Sequence, residues 1–140
     1  MLMKKIIWTN GCFDVVHRGH IELFRHAKTL GDFLIVGLDS DERVASLKGE
    51  GRPVNSLEDR AVLLGCLTMV DQVVSFSTDE ELENTIDFFE PDFLVVGEDY
   101  KDKRVIGREH VGRVIYFNKF KDHLGESYST TNILKKNGKK

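Results

Sequence analysis

Thr9-Asn10-Gly11-Cys12-Phe13-Asp14-Val15-Val16-His17-Arg18-Gly19-His20 is the stretch that decides how this chain folds. The apolar residues Ile6, Ile7 and Trp8 run into it as a strand and a helical pattern begins at Ile21, so it reads as a strand–loop–helix junction. In open α/β sheets such junctions bind phosphates. Gly11 and Gly19 carry no Cβ, which lets the backbone approach a ligand and permits a positive φ. With a helix starting near Arg18, His17 and His20 stand at its N-terminus, beside unpaired backbone N–H groups and the positive end of the helix dipole. Two imidazole donors plus those N–H groups suit the negative charge that gathers on a triphosphate during transfer.

Downstream, Ile21, Leu23, Phe24, Ala27 and Leu30 form one helical stripe that stops at Gly31. Phe33 to Leu38 is a run of strand-forming apolar residues, which completes a β-α-β unit with a right-handed crossover. At its carboxyl end, Asp39-Ser40-Asp41-Glu42 reads either as a helix cap or, through Asp39, as a contact to a ribose or a metal. The glycines, proline and charges of Leu47 to Asn55 predict a mobile loop that carries Lys48 and Arg52, either as solvated charges or over a bound triphosphate. Ser56 and Asp59 open a helix whose buried face is expected from Val62, Leu63 and Cys66, with Arg60 either exposed on it or binding phosphate.

Asp71 to Phe76 is a further strand, Asp79 to Phe89 a helix ended by Pro91, and Phe93 to Val96 a buried strand. That strand delivers Gly97-Glu98-Asp99-Tyr100, a turn by composition in which Asp99 is a candidate Mg²⁺ ligand. The polar stretch 101–112 reads equally as a short helix or a loop, and Val114 to Phe117 is the last strand. Ser129-Thr130-Thr131 then opens a helix with hydroxyls that can cap it or bind phosphate, and the run ends in Lys135, Lys136, Lys139 and Lys140 as a solvated tail. Five alternating strands predict a doubly wound parallel α/β sheet in the order 3-2-1-4-5, as a single domain over residues 1–140.

The composition is that of an ordinary soluble globular protein, 41% hydrophobic and 31% charged. A net charge of −3 offers no general attraction to nucleic acid, so a polyanionic ligand must be held by local cations. The short apolar run at the N-terminus continues into the first strand rather than forming a signal peptide, and no run reaches the ~20 residues of a membrane span. Cys12 and Cys66 lack metal-ligand spacing and read as free thiols of a cytoplasmic protein. A dinucleotide fingerprint GxGxxG is missing after the first strand, which argues against an oxidoreductase.

His17-x-Gly19-His20, following Gly11-Cys12-Phe13-Asp14, resembles the HxGH signature of the nucleotidyltransferase superfamily, in its cytidylyltransferase-like branch. Gly51-Arg52-Pro53-Val54-Asn55 with the later Arg60 is similar to the adenylyltransferase domain of bacterial ADP-heptose synthesis enzymes. Gly97-x-Asp99-Tyr100 is similar to the family's nucleotide-contacting loop, and Ser129-Thr130-Thr131 to its second signature. The likeness runs from about Thr9 to Leu134, leaving no room for a second catalytic domain in these residues.

The resemblance implies transfer of a nucleotide monophosphate from an NTP, with its Mg²⁺, to a phosphorylated small molecule, and release of pyrophosphate. His17, His20 and Lys48 would carry catalysis. Asn10, Gly11, Cys12, Phe13, Gly19, Asp39, Gly97, Asp99, Ser129, Thr130 and Thr131 would bind the nucleotide. Asp14, Arg52 and Arg60 would face the acceptor. Some cytidylyltransferases carry an arginine shortly before the hydroxyl motif; the segment 120–128 has none, which points to ATP and a sugar 1-phosphate of the heptose type rather than CTP and glycerol 3-phosphate. A nucleotide-binding module without turnover is the reading from another class. A symmetric homodimer is the expected assembly, as for many small α/β enzymes.

Overall fold

A computed structural model of the chain describes residues 4–119, 121 and 123–138; Lys139 and Lys140 lie outside the described residues. Its elements run β1 (Ile6–Gly11), α1 (Arg18–Thr29), β2 (Phe33–Asp39), α2 (Asp41–Lys48), α3 (Leu57–Gly65), β3 (Gln72–Phe76), α4 (Asp79–Phe89), β4 (Phe93–Gly97), β5 (Arg113–Phe117) and α5 (Thr130–Gly138). Short 3₁₀ turns form over Glu98–Tyr100 and over Arg108–His110, the second within the stretch 101–112 whose sequence left helix and loop open. The strands pair in parallel in the order β3-β2-β1-β4-β5, as the alternation of elements predicts.

Alternation along the central strands feeds two cores, one on each face of the sheet. Ile7, Leu34, Val36, Leu38 and Val95 point to one side, where they meet Phe24 and Ala27 of α1 and Leu64 of α3. Trp8, Ile35 and Leu94 point to the other and meet Leu82 and Ile86 of α4. A fully buried side chain of this size contributes about 1.5–3 kcal/mol, so a one-residue slip of β1 would turn Ile7 and Trp8 to the wrong faces at a cost the fold cannot absorb. Gly37 belongs to the same arrangement: a Cβ there would lie 2.5 Å from Trp8 Cζ2.

The site is positioned by the unequal pairing of β1. It matches β2 over six residues, from Ile6↔Phe33 to Gly11↔Leu38, but β4 only at Ile7↔Phe93 and Trp8↔Leu94. Beyond Trp8 the two strands separate, joined by the Thr9 hydroxyl donating to Val95 O at 2.9 Å. The crevice opens there, at the carboxyl edge where the strand order reverses.

Several expectations are corrected. The inward face of α3 is Leu57, Arg60, Ala61 and Leu64, an i, i+3, i+4, i+7 row, while Val62 is 61% and Leu63 51% exposed and Cys66 is exposed as well. Gly31 is needed for close packing and not for a left-handed helix end, since a Cβ would lie 2.6 Å from Ile7 Cδ1 and Leu30 caps α1 in the right-handed region. The stretch from Leu47 to Asn55 is no free loop: α2 runs through Lys48, and Val54 and Asn55 donate their N–H groups to the Asp14 carboxylate at 2.6 and 2.9 Å.

Candidate active site

His17 is the N-cap of α1, and its Nδ1 accepts the Gly19 N–H at 3.0 Å. His20, three residues on, accepts the His17 N–H on its own Nδ1 at 3.3 Å. The pair forms a reciprocal capping box made of imidazoles. Two backbone N–H groups at the helix start, those of His17 and Gly19, are therefore taken by the rings themselves, where the sequence led to unpaired donors. With each Nδ1 accepting, each Nε2 carries the ring hydrogen. The rings stack with centroids 3.7 Å apart and planes 23° from parallel. Burial lowers the His17 pKa, and burial followed by the neighbouring His17 lowers that of His20 to about 3. Both rings are neutral near pH 7 and act as N–H donors rather than as cations.

Both histidines line a cavity of about 300 Å³. Of the residues singled out in the sequence, Cys12, Phe13, His17, Gly19, His20, Lys48 and Arg52 line it on one side. Gly97, Asp99, Ser129, Thr130 and Thr131 line it on the other. Two buried nitrogens of residues that line it, His17 Nε2 and Arg52 Nε, have no hydrogen-bond partner. Arg52 Nε lies 3.8 Å from Asp14 Oδ2, an ion-pair separation too long for a hydrogen bond. Lys48 has no ion-pair partner among the described residues, and Lys119 stands 4.0 Å from Asp99. Orphaned buried donors are costly in a folded protein, and an anion would satisfy both.

The hydroxyl motif is partly spent on structure. Ser129 Oγ accepts the Asn132 N–H at 3.0 Å as a helix cap, and the Thr130 hydroxyl donates to Asp14 O at 2.5 Å. Thr131 is exposed on the cavity wall. Tyr128 lies over the ring of His17, 22° from parallel, and packs against Gly19, where a Cβ would come within 2.8 Å of Tyr128 Cβ. Gly19 is thus required for approach of the segment before α5, not for a positive φ. In this junction it is Phe13 (φ 47°) and Val15 (φ 45°) that take the left-handed region. A β-branched residue there is strained and persists only when its surroundings hold it.

Asp14 does the holding. It is 1% exposed and accepts the N–H groups of Val15, Val54 and Asn55, so its carboxylate binds backbone and not an acceptor. Arg60 is 0% exposed and donates to Cys12 O, Asp39 O and Asn55 O at 2.9, 2.9 and 3.0 Å and to Asp41 Oδ1 at 2.7 Å. Neither lines the cavity; between them they tie the loop at Cys12 to the Val54–Asn55 segment and to the start of α2. The structure gives Asp14 and Arg60 positioning contacts in place of the acceptor contacts expected of them, because Asp14 accepts three backbone N–H groups and four of the five Arg60 donors are taken, away from the cavity.

Asn10, Gly11 and Asp39 lie to one side, on a second cavity of about 220 Å³ that shares Phe13, Leu23, Gly97 and Tyr100 with the first. Asp39 accepts from Arg43 Nε at 2.8 Å and from the Cys12 thiol at 3.3 Å. Burial, followed by that carboxylate, pushes the Cys12 thiol up to about 11. Sequence reasoning missed Leu23, Phe117 and Tyr128 as cavity residues; nothing local marks them, since long-range packing brings them there.

Known proteins resemble this chain in sequence and in fold. A family model described as cytidylyltransferase-like matches residues 8–136. The "Bifunctional protein HldE" of Campylobacter jejuni is 52% identical over 133 residues, which is 95% of this chain and 28% of that protein. The protein of that name from Helicobacter hepaticus is 45% identical over 131 residues, 94% of this chain and 26% of its own length. The chain thus spans little more than a quarter of these relatives. Among solved structures, the lipopolysaccharide core biosynthesis protein from Thermoplasma volcanium superposes with a TM-score of 0.70 at 22% identity, covering 91% of this chain and 100% of that one. Pantoate-beta-alanine ligase from Francisella tularensis gives 0.67 at 17% identity, covering 93% and 65%. The last two show the shared fold. The chain belongs to the cytidylyltransferase-like family of nucleotidyltransferases.

Proposed function

We propose that the protein transfers AMP from ATP to a sugar 1-phosphate of the heptose type, giving an ADP-sugar and pyrophosphate. The observation that carries this reading is the pair of buried, unpartnered donors, His17 Nε2 and Arg52 Nε, in two residues that line one cavity together with Lys48. Identity of about half to the HldE proteins supports the adenylyl choice, together with the resemblance of Gly51 to Asn55.

An acceptor phosphate oxygen attacks the α-phosphorus in line, the bond to the bridging oxygen breaks, and its electron pair leaves with pyrophosphate. The substrate supplies the nucleophile as an anion, so no side chain is needed as base. His17 and His20 donate Nε2–H bonds to the triphosphate, while Lys48 and Arg52 neutralise the leaving side. The hydroxyl of Thr131 and the segment through Tyr128 close over the nucleotide.

Among residues lining the cavity, Asp99 is the acidic one, and Gly97 makes room for it, since a Cβ there would lie 2.5 Å from Asp99 Oδ1. Among the described residues no cluster of three ligands could cage a metal alone. Asp99 would hold a Mg²⁺ that arrives on the phosphates, and the ion would offset the negative charge of the triphosphate.

Incubation with each NTP and a panel of phosphorylated acceptors tests the proposal. ATP with a heptose 1-phosphate should release pyrophosphate and yield the ADP-sugar. Turnover only with CTP and glycerol 3-phosphate would replace it, and binding of NTP without pyrophosphate from any pair would favour a binding module.

A further inference from the structure

We infer that the second cavity reads the uncharged, hydroxylated body of the acceptor, with Asn10 and Asp39 as the reading groups and Arg43 as the residue that positions Asp39. The inference rests on the transfer reading above and moves Asn10 and Asp39 from the nucleotide to the acceptor.

Three observations carry it. The first is connection: the two cavities share Phe13, Leu23, Gly97 and Tyr100, so a molecule in the second can place one end at the boundary, next to the triphosphate. In-line attack requires such an end-on approach.

The second is charge. Lys48 and Arg52 in the first cavity lack full partners, whereas both arginines of the second are already paired. Arg43 bonds Asp39 at 2.8 Å and Asp79 at 2.7 Å, and Arg104 pairs with Glu109 at 3.3 Å. Anionic groups are drawn to the first cavity, because each arginine of the second already has a carboxylate partner and offers a second anion on the acceptor no free cation. The acceptor therefore carries one phosphate, at its reacting end, and a neutral body behind it.

The third is the donor and acceptor inventory. Asn10 Oδ1 takes the Trp8 indole N–H at 2.8 Å, which fixes the amide and leaves its two Nδ2 hydrogens without a partner among the described residues. Asp39 accepts one bond on each carboxylate oxygen and retains a lone pair on each. Paired donors and acceptors above an apolar floor of Leu82, Val96 and Val105 match the alternating hydroxyls and C–H faces of a sugar. Arg43 lies against Phe76, 5.3 Å from the ring centroid, and its planar fork cannot be reproduced by lysine across two carboxylates.

The experiment compares steady-state constants of the full chain and two variants. Ile106→Trp narrows the cavity from a partly exposed wall position, and Asn10→Ala removes the free donors. Each should raise the acceptor KM about tenfold while the ATP KM stays within roughly twofold. Arg43→Met should do the same and Arg43→Lys should recover little of it, with the acceptor KM raised and the ATP KM unchanged, a split that a purely structural role does not predict. With the unaltered protein, a uronic acid 1-phosphate should be used at least about tenfold less well than the neutral sugar 1-phosphate.

A raised ATP KM with an unchanged acceptor KM would put the base in this cavity and overturn the inference, as would no change in either constant. If the unaltered protein turns over no acceptor, the transfer reading fails by itself. Calorimetric titration of a sugar 1-phosphate in the presence of a non-hydrolysable ATP analogue then decides this one separately. Binding that Ile106→Trp abolishes supports it, and equal binding or none overturns it.

Discussion

His17 and His20 stack ring on ring, 3.7 Å between centroids, with each Nδ1 closed by a backbone N–H of the same helix start. The geometry links structure and chemistry: the bonds that cap α1 also fix which nitrogen of each ring bears a hydrogen. Those two functions separate on substitution. Gln at the third helical position can still accept the His17 N–H. His20→Gln should keep its melting temperature within a few degrees yet lose about 10²–10³ in kcat, the cost of one such donor. Thermal melts beside pyrophosphate-release rates check it.

The same rings set an acid limit on stability. Their pKa values are depressed from 6.5 in the folded chain, that of His20 to about 3. The unfolded chain takes up protons below about 6.5 that the folded chain refuses, so stability is full above that value and declines as pH falls toward 3. Denaturant titrations between pH 7 and 4 should show a steeper loss for the unaltered protein than for His20→Gln. Parallel losses would contradict the buried neutral imidazole.

Arg60 gives a sharper separation of roles. Removing a guanidinium that satisfies three carbonyl oxygens and Asp41 leaves buried acceptors unpaired. Arg60→Met should cost about 3 kcal/mol of unfolding free energy, near the lower end for a broken buried pair because Asp41 keeps access to water. An arginine that touched substrate instead would lower activity and leave chemical denaturation unchanged.

Gly19→Ala sets two effects against each other. Helix propensity alone would favour alanine by about 0.5–1 kcal/mol. Yet the new Cβ would lie within 2.8 Å of Tyr128 Cβ and 2.9 Å of His17 Cε1, so the segment leading to α5 has to shift. A shift of this kind can cost about 10²-fold in rate. The variant should fold with little change in melting temperature and lose kcat/KM by that order.

The two thiols should differ in reactivity. Cys66 is exposed, while Cys12 is half-buried and held as a thiol, its pKa about 11. Brief alkylation at pH 8 followed by peptide mass spectrometry should find Cys66 modified and Cys12 largely spared.

Sequence periodicity sufficed for the strand order and the junction at His17, because two-sided burial writes apolar runs such as Phe33 to Leu38 directly into the chain. It failed where a local residue serves a distant one. Arg60 looks like a surface residue until the row Leu57, Ala61, Leu64 is seen to face inward, and a buried guanidinium leaves no hydrophobic mark. In the first loop positive φ was sought at Gly11 and Gly19 but occurs at Phe13 and Val15, held by an Asp14 carboxylate that also binds Val54 and Asn55 about forty residues away. The packing of Tyr128 on Gly19 spans more than a hundred residues and leaves no signal in either segment.

The central claim is that the His17 Nε2–H, unpartnered in the free protein, bonds the triphosphate as charge moves onto pyrophosphate. His17→Asn keeps a capping side chain at the start of α1 while removing that donor. Measured as pyrophosphate release with ATP and a heptose 1-phosphate, kcat should fall about 10²–10³-fold with the fold intact by circular dichroism. A His17→Asn protein that turns over at near the unaltered rate would contradict the account.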